Sequence, residues 1–490
     1  MIAMAPVFCI IVPLAAAFAS VVRPLPRPLV GLAILVVLGL TGMTVAEVWQ
    51  QGAHRIPVGG WQAPLGIALV VDGLSGALLA TTALVMTAVL LAALPEFADR
   101  DRETRKGWAF WPLAFLVWAA LNAAFLSGDL FNIYVSLEFL TLATLALVSL
   151  EETAEALEAA MRYALFALFG SLAYLLGVVL LYAAHGTLDI ALLSQADLQG
   201  TNSIVAAALI TTGLAAKTAL FPFHAWLPPA HAGAPAPASA MLSGLVPKAP
   251  FFVLIRFWFD VAPDLPGEAA LQFIGTLGAA AIVYGSVLAM RQTQLKRLVA
   301  YSTVAQLGYL FLIFPLAGGD GLSQVWSAGA WTGATFHAVS HALAKAAMFL
   351  AAGLVVHAAG HDRVSAMNGL TQSMPMTAFA FGLASVTIMG LPPSGGFVAK
   401  YLLLTAAFSS GQFIWAAVIV AGGVLAAGYV FRPLSRTFFH GHVQTVAVPR
   451  RQQAVPLTLA ALALLLGIVS SAPYAFLQTG RPIAAEEGLE

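Results

Sequence analysis

The stretch KTALFPFHAWLPPAHAGAPAPASAMLSGLVPK, residues 217–248, has a lysine at each end of an otherwise apolar, proline-rich segment. Proline lacks a backbone donor and its ring clashes with the preceding turn, so a helix passing through Lys217 must stop or kink at Pro222. The surrounding chain is built for lipid. Of its 490 residues 60% are hydrophobic and only 9% charged, where a soluble domain carries about 25% charged residues. Lys345, Lys400 and Glu138 fall in equally apolar stretches. A charge at the bilayer centre costs about 2.5–3.5 kcal/mol even on the lenient insertion scale, and such charges usually line a path for ions or protons.

A crossing helix needs about 20 mainly apolar residues. Segments of that kind number fourteen, near 3–20, 29–48, 66–94, 110–127, 130–150, 162–184, 203–221, 237–259, 271–290, 298–317, 328–357, 376–393, 412–431 and 454–473, the twelfth continuing past a break into 396–409. The fold class expected is an all-α polytopic membrane protein. The first twenty residues lack a basic leader and a small-residue cleavage site, so they are taken as a retained first span.

With the N-terminus outside, the inner loops hold fifteen basic residues: Arg23, Arg27, Arg100, Arg102, Arg105, Lys106, Arg162, Arg291, Lys296, Arg297, Arg363, Arg432, Arg436, Arg450 and Arg451. The outer side holds two, Arg55 and Arg481. That asymmetry is a positive-inside signal and puts both termini outside, in a bacterial-type cytoplasmic membrane. Arg256 falls near the outer end of span eight. Glu151, Glu152, Glu155, Glu158 and Arg162 read as a solvated, helical inner-surface segment after span five.

Two spans are broken by proline, the seventh at Pro222 and the twelfth at Gly390-Leu-Pro392-Pro393-Ser-Gly-Gly396. Paired breaks in corresponding halves of a transporter point to its binding site. Spans four to eight and nine to thirteen make two five-helix repeats, and the odd number inverts one copy relative to the other. The segments expected are 1–110, 111–260, 261–436 and 437–490.

Glu138 lies nine residues beyond Asp129, about 13 Å deeper along a helix. Burial disfavours a charged group and an opposite charge favours it, so a Glu138–lysine pair would be a switchable element rather than only a structural salt bridge. Snorkelling, which serves lysines near helix ends, fits the central Lys217 and Lys248 poorly. His337, His341 and Lys345 recur every fourth residue and share one helix face. Histidine titrates near neutrality, so the row fits a proton path, with satisfied structural histidines as the alternative. Asp129, His224 and His231 are candidates for its entrance. The sequence marks no cofactor: it has a single cysteine, Cys9, and no dinucleotide or Walker A fingerprint, and a metal at the His337/His341 pair is disfavoured because HAVSH lacks the glutamate of the zinc-protease signature and no carboxylate is near in the chain. The partners expected are lipid, protons and other hydrophobic subunits, with no nucleic acid.

Asp72-Gly-Leu-Ser75, GDLFNIYVSLEFL (128–140), the 217–248 stretch, LKRLVAYSTVAQLGY (295–309), FHAVSHALAKAAMFL (336–350) and GLPPSGGFVAKYLL (390–403) together resemble one family. These are the antiporter-like subunits shared by Mrp-type cation/proton antiporters, respiratory complex I and membrane-bound hydrogenases. The resemblance covers roughly residues 65–440. It implies fourteen helices with inverted repeats and breaks in helices seven and twelve. It also implies proton transport through Glu138, Lys217, Lys248, Lys345 and Lys400, with His341 on a helix-eleven histidine, in an assembly that exchanges Na+ or is driven by redox chemistry elsewhere. Lys400 argues against the M-type subunit, which carries glutamate there. The short tail after span fourteen argues against the L-type and Mrp A-type subunits. The GLPPSGGFVAK and GDLFNIYV wording points to the Mrp D type ahead of the complex I N type.

Overall fold

The computed structural model describes residues 4–22, 25–100, 105–265, 267–441 and 446–482. Arg23 and Arg102 of the inner-loop set lie outside the described residues, as does the last segment beyond 482. Thirteen of the described helices are long and apolar enough to cross a membrane. In chain order they are Ala5–Val22, Arg27–Gln51, Gly73–Phe97, Arg105–Leu126, Leu130–Glu151, Ala154–His185, Thr201–Gly233, Ala236–Val261, Glu268–Arg291, Leu295–Ala317, Ser327–Ala359, Phe413–Arg436 and Arg450–Ile468. Pro375–Met389 and Gly395–Ser409 are each too short alone. They follow one another across the Gly390 turn and supply the remaining crossing, span twelve. The fourteen predicted spans are therefore present. A two-stranded antiparallel ribbon, His54–Pro57 with Ala68–Val71, joins spans two and three.

Capping chemistry explains several of the sequence motifs. Asp72 caps span three in a capping box with Ser75. Asp129 caps span five, its carboxylate accepting from Phe131 N and Asn132 N. Ser394 caps the second half of span twelve.

Three expectations are corrected. Span six starts at Ala154, capped by Thr153, and not near residue 162, so the exposed helical segment that carries Glu155, Glu158 and Arg162 is its first two turns. Alanine, glutamate and leucine are good helix formers, and nothing there stops the helix. Span fourteen ends at Ile468, and Ser471–Gln478 forms its own short helix against spans three and eleven. Span eight is also broken: its first helix ends at Gly244, and its second begins at Lys248 after the Leu245–Pro247 turn.

Burial sorts the spans. The apolar 18-residue stretch of span eight is 100% buried and that of span ten 94%, against 28% for those of spans two and fourteen. Spans eight, ten and eleven therefore form the protein-lined centre, and they carry Lys248, Lys345, His337 and His341.

The two repeats pack alike. Spans four and five adjoin, as do nine and ten; six packs on seven, as eleven packs on twelve. In both copies the fourth helix is broken. Close approach of six and seven depends on small residues, as is usual between helices in lipid. A β-carbon on Gly170 would lie 2.8 Å from the Gly213 carbonyl oxygen and 3.1 Å from Lys217 Cγ, so the stem of Lys217 runs across a bare stretch of span six.

Candidate functional site

Lys217 sits in the last turn of the first half of span seven, just before Ala219 turns left-handed and ends the helix. Its Nζ donates to Glu138 Oε1 (2.9 Å) and to Thr141 Oγ1 (3.1 Å). Ser171 Oγ donates to the same carboxylate oxygen (2.5 Å). The pair is asymmetric: the lysine side chain is 6% exposed and the glutamate 29%. Glu138 thus lies at the flank where spans five and six meet, less enclosed than its predicted depth implied. A cavity beside Lys217 is lined by Thr141, Tyr163, Val246 and Pro250 among others, and so reaches the break of span eight.

Beyond that cavity the lysines lack acidic partners among the described residues. Lys248 Nζ donates to Ser243 O (2.6 Å), at the carbonyl end of the preceding half-helix. Lys400 Nζ donates likewise to Ile388 O (2.8 Å) and Met389 O (3.3 Å), at the end of the first half of span twelve. Helix breaks leave last-turn carbonyls without intrahelical partners, and the negative end of the helix dipole favours a cation. Each break therefore builds a seat for an ammonium group. Gly390 lets Lys400 fold back: its φ is +80°, and a β-carbon there would fall 2.6 Å from Lys400 Cδ. The ammonium of Lys400 stands 4.4 Å from the Tyr309 ring centroid, a cation–π contact. Lys345 Nζ donates to Val299 O (2.9 Å) and, at short range, to Ser302 Oγ.

The histidines lie between these lysines. The His337 and His341 rings are 5.7 Å apart and nearly parallel. His337 Nε2 approaches Gln306 O at 3.1 Å, and its ring lies 5.4 Å from that of Tyr309. His341 lies within electrostatic reach of Lys248, Lys345 and Lys400. Both of its ring nitrogens are buried without a partner among the described residues, as are both of His231 and Nδ1 of His337 and His224. Buried polar atoms of this kind are ordinarily satisfied by water. His231 stacks on Phe349 of span eleven at 4.6 Å, and Lys296 Nζ donates to Ala234 O (2.8 Å) three residues further on. His224 packs against Phe221 and Tyr284.

The structure thus brings Glu138 to Lys217, and Lys248, His341, His337, Lys345 and Lys400 to one interior region. It does not bring Asp129 to that row. Asp129 is a helix cap whose backbone pairs with that of Asp189 in an isolated antiparallel bridge, and burial raises the pKa of its carboxyl against the two backbone donors that stabilise it. Pro222, Pro392 and Pro393 lie in the breaks, as read from the sequence. Sequence reasoning missed Thr141, Tyr163, Ser171, Gln306 and Tyr309. It also missed the triad at the end of span eight in which Arg256 bonds Asp72 and, at 2.9 Å, Asp260 Oδ2.

Fourteen crossings, two broken-helix repeats and a buried row of lysines and histidines define a multi-pass membrane protein of the antiporter-like class. Residues 127–426 match the family described as NADH:quinone oxidoreductase/Mrp antiporter, transmembrane, and the chain belongs to it. It is similar to the N-type subunit of the NADH-quinone oxidoreductase of Desulforudis audaxviator, 37% identical over 461 residues, or 92% of this chain and 89% of that one. It is also similar to the D-type subunit of the Na(+)/H(+) antiporter of Alkalihalophilus pseudofirmus, 30% identical over 405 residues, or 82% and 79% of the two chains. Among solved structures, a protein of the Mrp complex from Dietzia superposes with a TM-score of 0.86 at 25% identity, covering 98% of this chain and 96% of that one. The chain is an antiporter-like subunit of the kind found in Mrp and complex I-like assemblies. The higher identity falls on an N-type subunit, so the D-type wording of the motifs does not by itself decide between the two.

Proposed function

We propose that the chain is the proton-translocating subunit of a multisubunit monovalent cation (Na+)/proton antiporter, a secondary transporter in a bacterial-type cytoplasmic membrane with both termini outside. The observation that carries this reading is one acid–lysine pair at the head of a row of lysines and histidines that, among the described residues, has no carboxylate partner of its own. Closing the Glu138–Lys217 pair holds a proton on the lysine. Opening it frees that proton to move, through the cavity towards Lys248, then along Lys345, His341 and His337 to Lys400. Water joining the unpartnered ring nitrogens supplies the links. His224 and His231 stand nearest the entrance, and Asp129 serves as a cap. The exchanged cation is handled by the assembled complex.

A second reading is favoured by the 37% identity to an N-type subunit: a proton-pumping membrane subunit of an NADH:quinone oxidoreductase or membrane-bound hydrogenase. The same row would then be driven by redox chemistry in other subunits. Purifying the tagged native complex and identifying its partners by mass spectrometry separates the two. Hydrophobic partners without cluster or flavin proteins, with Na+-driven proton movement in vesicles, are the expected result. Co-purifying iron–sulfur or flavin subunits would replace the antiporter reading by the redox-driven one.

A further inference from the structure

We infer that the hydroxyl oxygens of Thr141 and Tyr163 form a second seat for the Lys217 ammonium, occupied when it leaves Glu138, and that this seat positions it toward Lys248. The inference rests on the proton-path reading above and adds to it two positioning residues.

The ammonium is already shared between Glu138 and Thr141. Thr141 is three residues along span five from Glu138 and so lies on the same helix face, one turn on. Its own proton goes to Leu137 O at 2.8 Å, which leaves its oxygen as an acceptor for Lys217. Tyr163 OH lies 2.8 Å from Thr144 Oγ1. Thr144 gives its proton to Leu140 O at 2.7 Å, so the tyrosine donates to Thr144, and the lone pairs of its oxygen are left over. Both residues line the cavity that extends from Lys217 to Val246 and Pro250, on either side of Lys248.

A desolvated ammonium cannot leave a carboxylate for an apolar space, because each unmatched donor carries a desolvation cost. Here it finds oxygen acceptors along the way, and a flexible four-carbon stem gives it the reach. The carboxylate-free seat holds the proton less firmly than the ion pair does, as a relay requires. The ring of Tyr163 is fixed by stacking on Trp226 at 4.3 Å. The Trp226 indole in turn donates to Ala216 O (3.1 Å), the residue before Lys217. Among the described residues, the charged group acting on Lys217 is Glu138 from span five. Tyr163 is the titratable neighbour from span six, and Lys248 of span eight lies beyond the cavity.

The test is the initial rate of proton movement in everted vesicles holding the assembled complex, followed with a pH-sensitive dye from about pH 6 to 9 and driven by a Na+ pulse or by NADH. Tyr163→Phe keeps the ring and its stack; Thr141→Val keeps the shape; Thr141→Ser keeps the hydroxyl. Tyr163→Phe and Thr141→Val are each expected to assemble, to lose about tenfold in rate, and to move the alkaline limb about one pH unit lower, since one charge-assisted hydrogen bond is missing. Thr141→Ser is expected to keep the native profile. Native rate and profile in both Tyr163→Phe and Thr141→Val, with Lys217→Ala inactive, overturns the second seat and leaves the proton path standing. Native transport by Lys217→Ala overturns both. Should Thr141→Val fail to assemble, Tyr163→Phe decides: a native profile overturns the seat and a shifted one supports it.

Discussion

Replacing Lys248 by methionine is expected to stop proton transport while leaving the fold as stable as before, or more so. Lys248 is buried at the break of span eight, and among the described residues its ammonium has one bond, to Ser243 O. No carboxylate acts on it among the described residues. An ammonium in that position carries a desolvation cost of several kcal/mol that one carbonyl does not recover. A methionine of similar length removes the cost and keeps the volume filled. A residue retained for stability would show the opposite result. Transport in everted vesicles is expected to fall at least about a hundredfold, near the loss typical of removing one proton-transfer group. The melting midpoint of the detergent-purified complex is expected to hold or rise. Retained transport would remove Lys248 from the path, and a lower midpoint would make it a structural residue.

The second large effect is on stability. Arg256 is enclosed in the C-terminal part of span eight, bonded to Asp72 of the span-three cap and to Asp260 of its own helix, with its guanidinium over the Phe252 ring. Arg256→Met leaves two carboxylates without their counter-charge. Removing one partner of a buried ion pair costs about 3–5 kcal/mol. Because Asp72 also caps span three beside the C-terminal helix, where Gly73 N donates to Thr479 O at 2.9 Å, the damage should spread to that helix. A clear fall in the melting midpoint, partly recovered by Asp72→Asn in the same chain, is expected. An unchanged midpoint would mean that the triad contributes nothing to the fold.

The sequence shows why some of this is legible and some is not. Lys217, Lys248, Lys345 and Lys400 stand out because each interrupts a run suited to lipid, and Pro222, Pro392 and Pro393 mark breaks by their covalent chemistry. The span count follows from the same contrast of apolar runs and charged loops. Partners are harder. Glu138 and Lys217 are 79 residues apart, and Arg256 and Asp72 are 184 apart. No spacing rule reaches across separate helices, so Asp72 carries no assignable role until the fold brings it to Arg256. The hydroxyls of Thr141, Tyr163 and Ser171 are silent for another reason. Threonine and serine are common in membrane helices, where they bond back to their own carbonyls, and only packing shows which of them also face Lys217. The break in span eight is signalled by Gly244 and Pro247, but glycine and proline are also common inside membrane helices and do not mark a break by themselves. The flank position of Glu138 depends on how spans five and six meet, which a depth count along one helix does not contain.

The pair at the head of the row carries the functional reading, and it is tested most directly by proton transport in everted vesicles containing the Lys217→Ala chain, with assembly of the complex checked in the same membranes. The expected result is a fully assembled complex in which transport is abolished, with Glu138→Ala giving the same loss. Native transport by a well-assembled Lys217→Ala complex would contradict the proposed path.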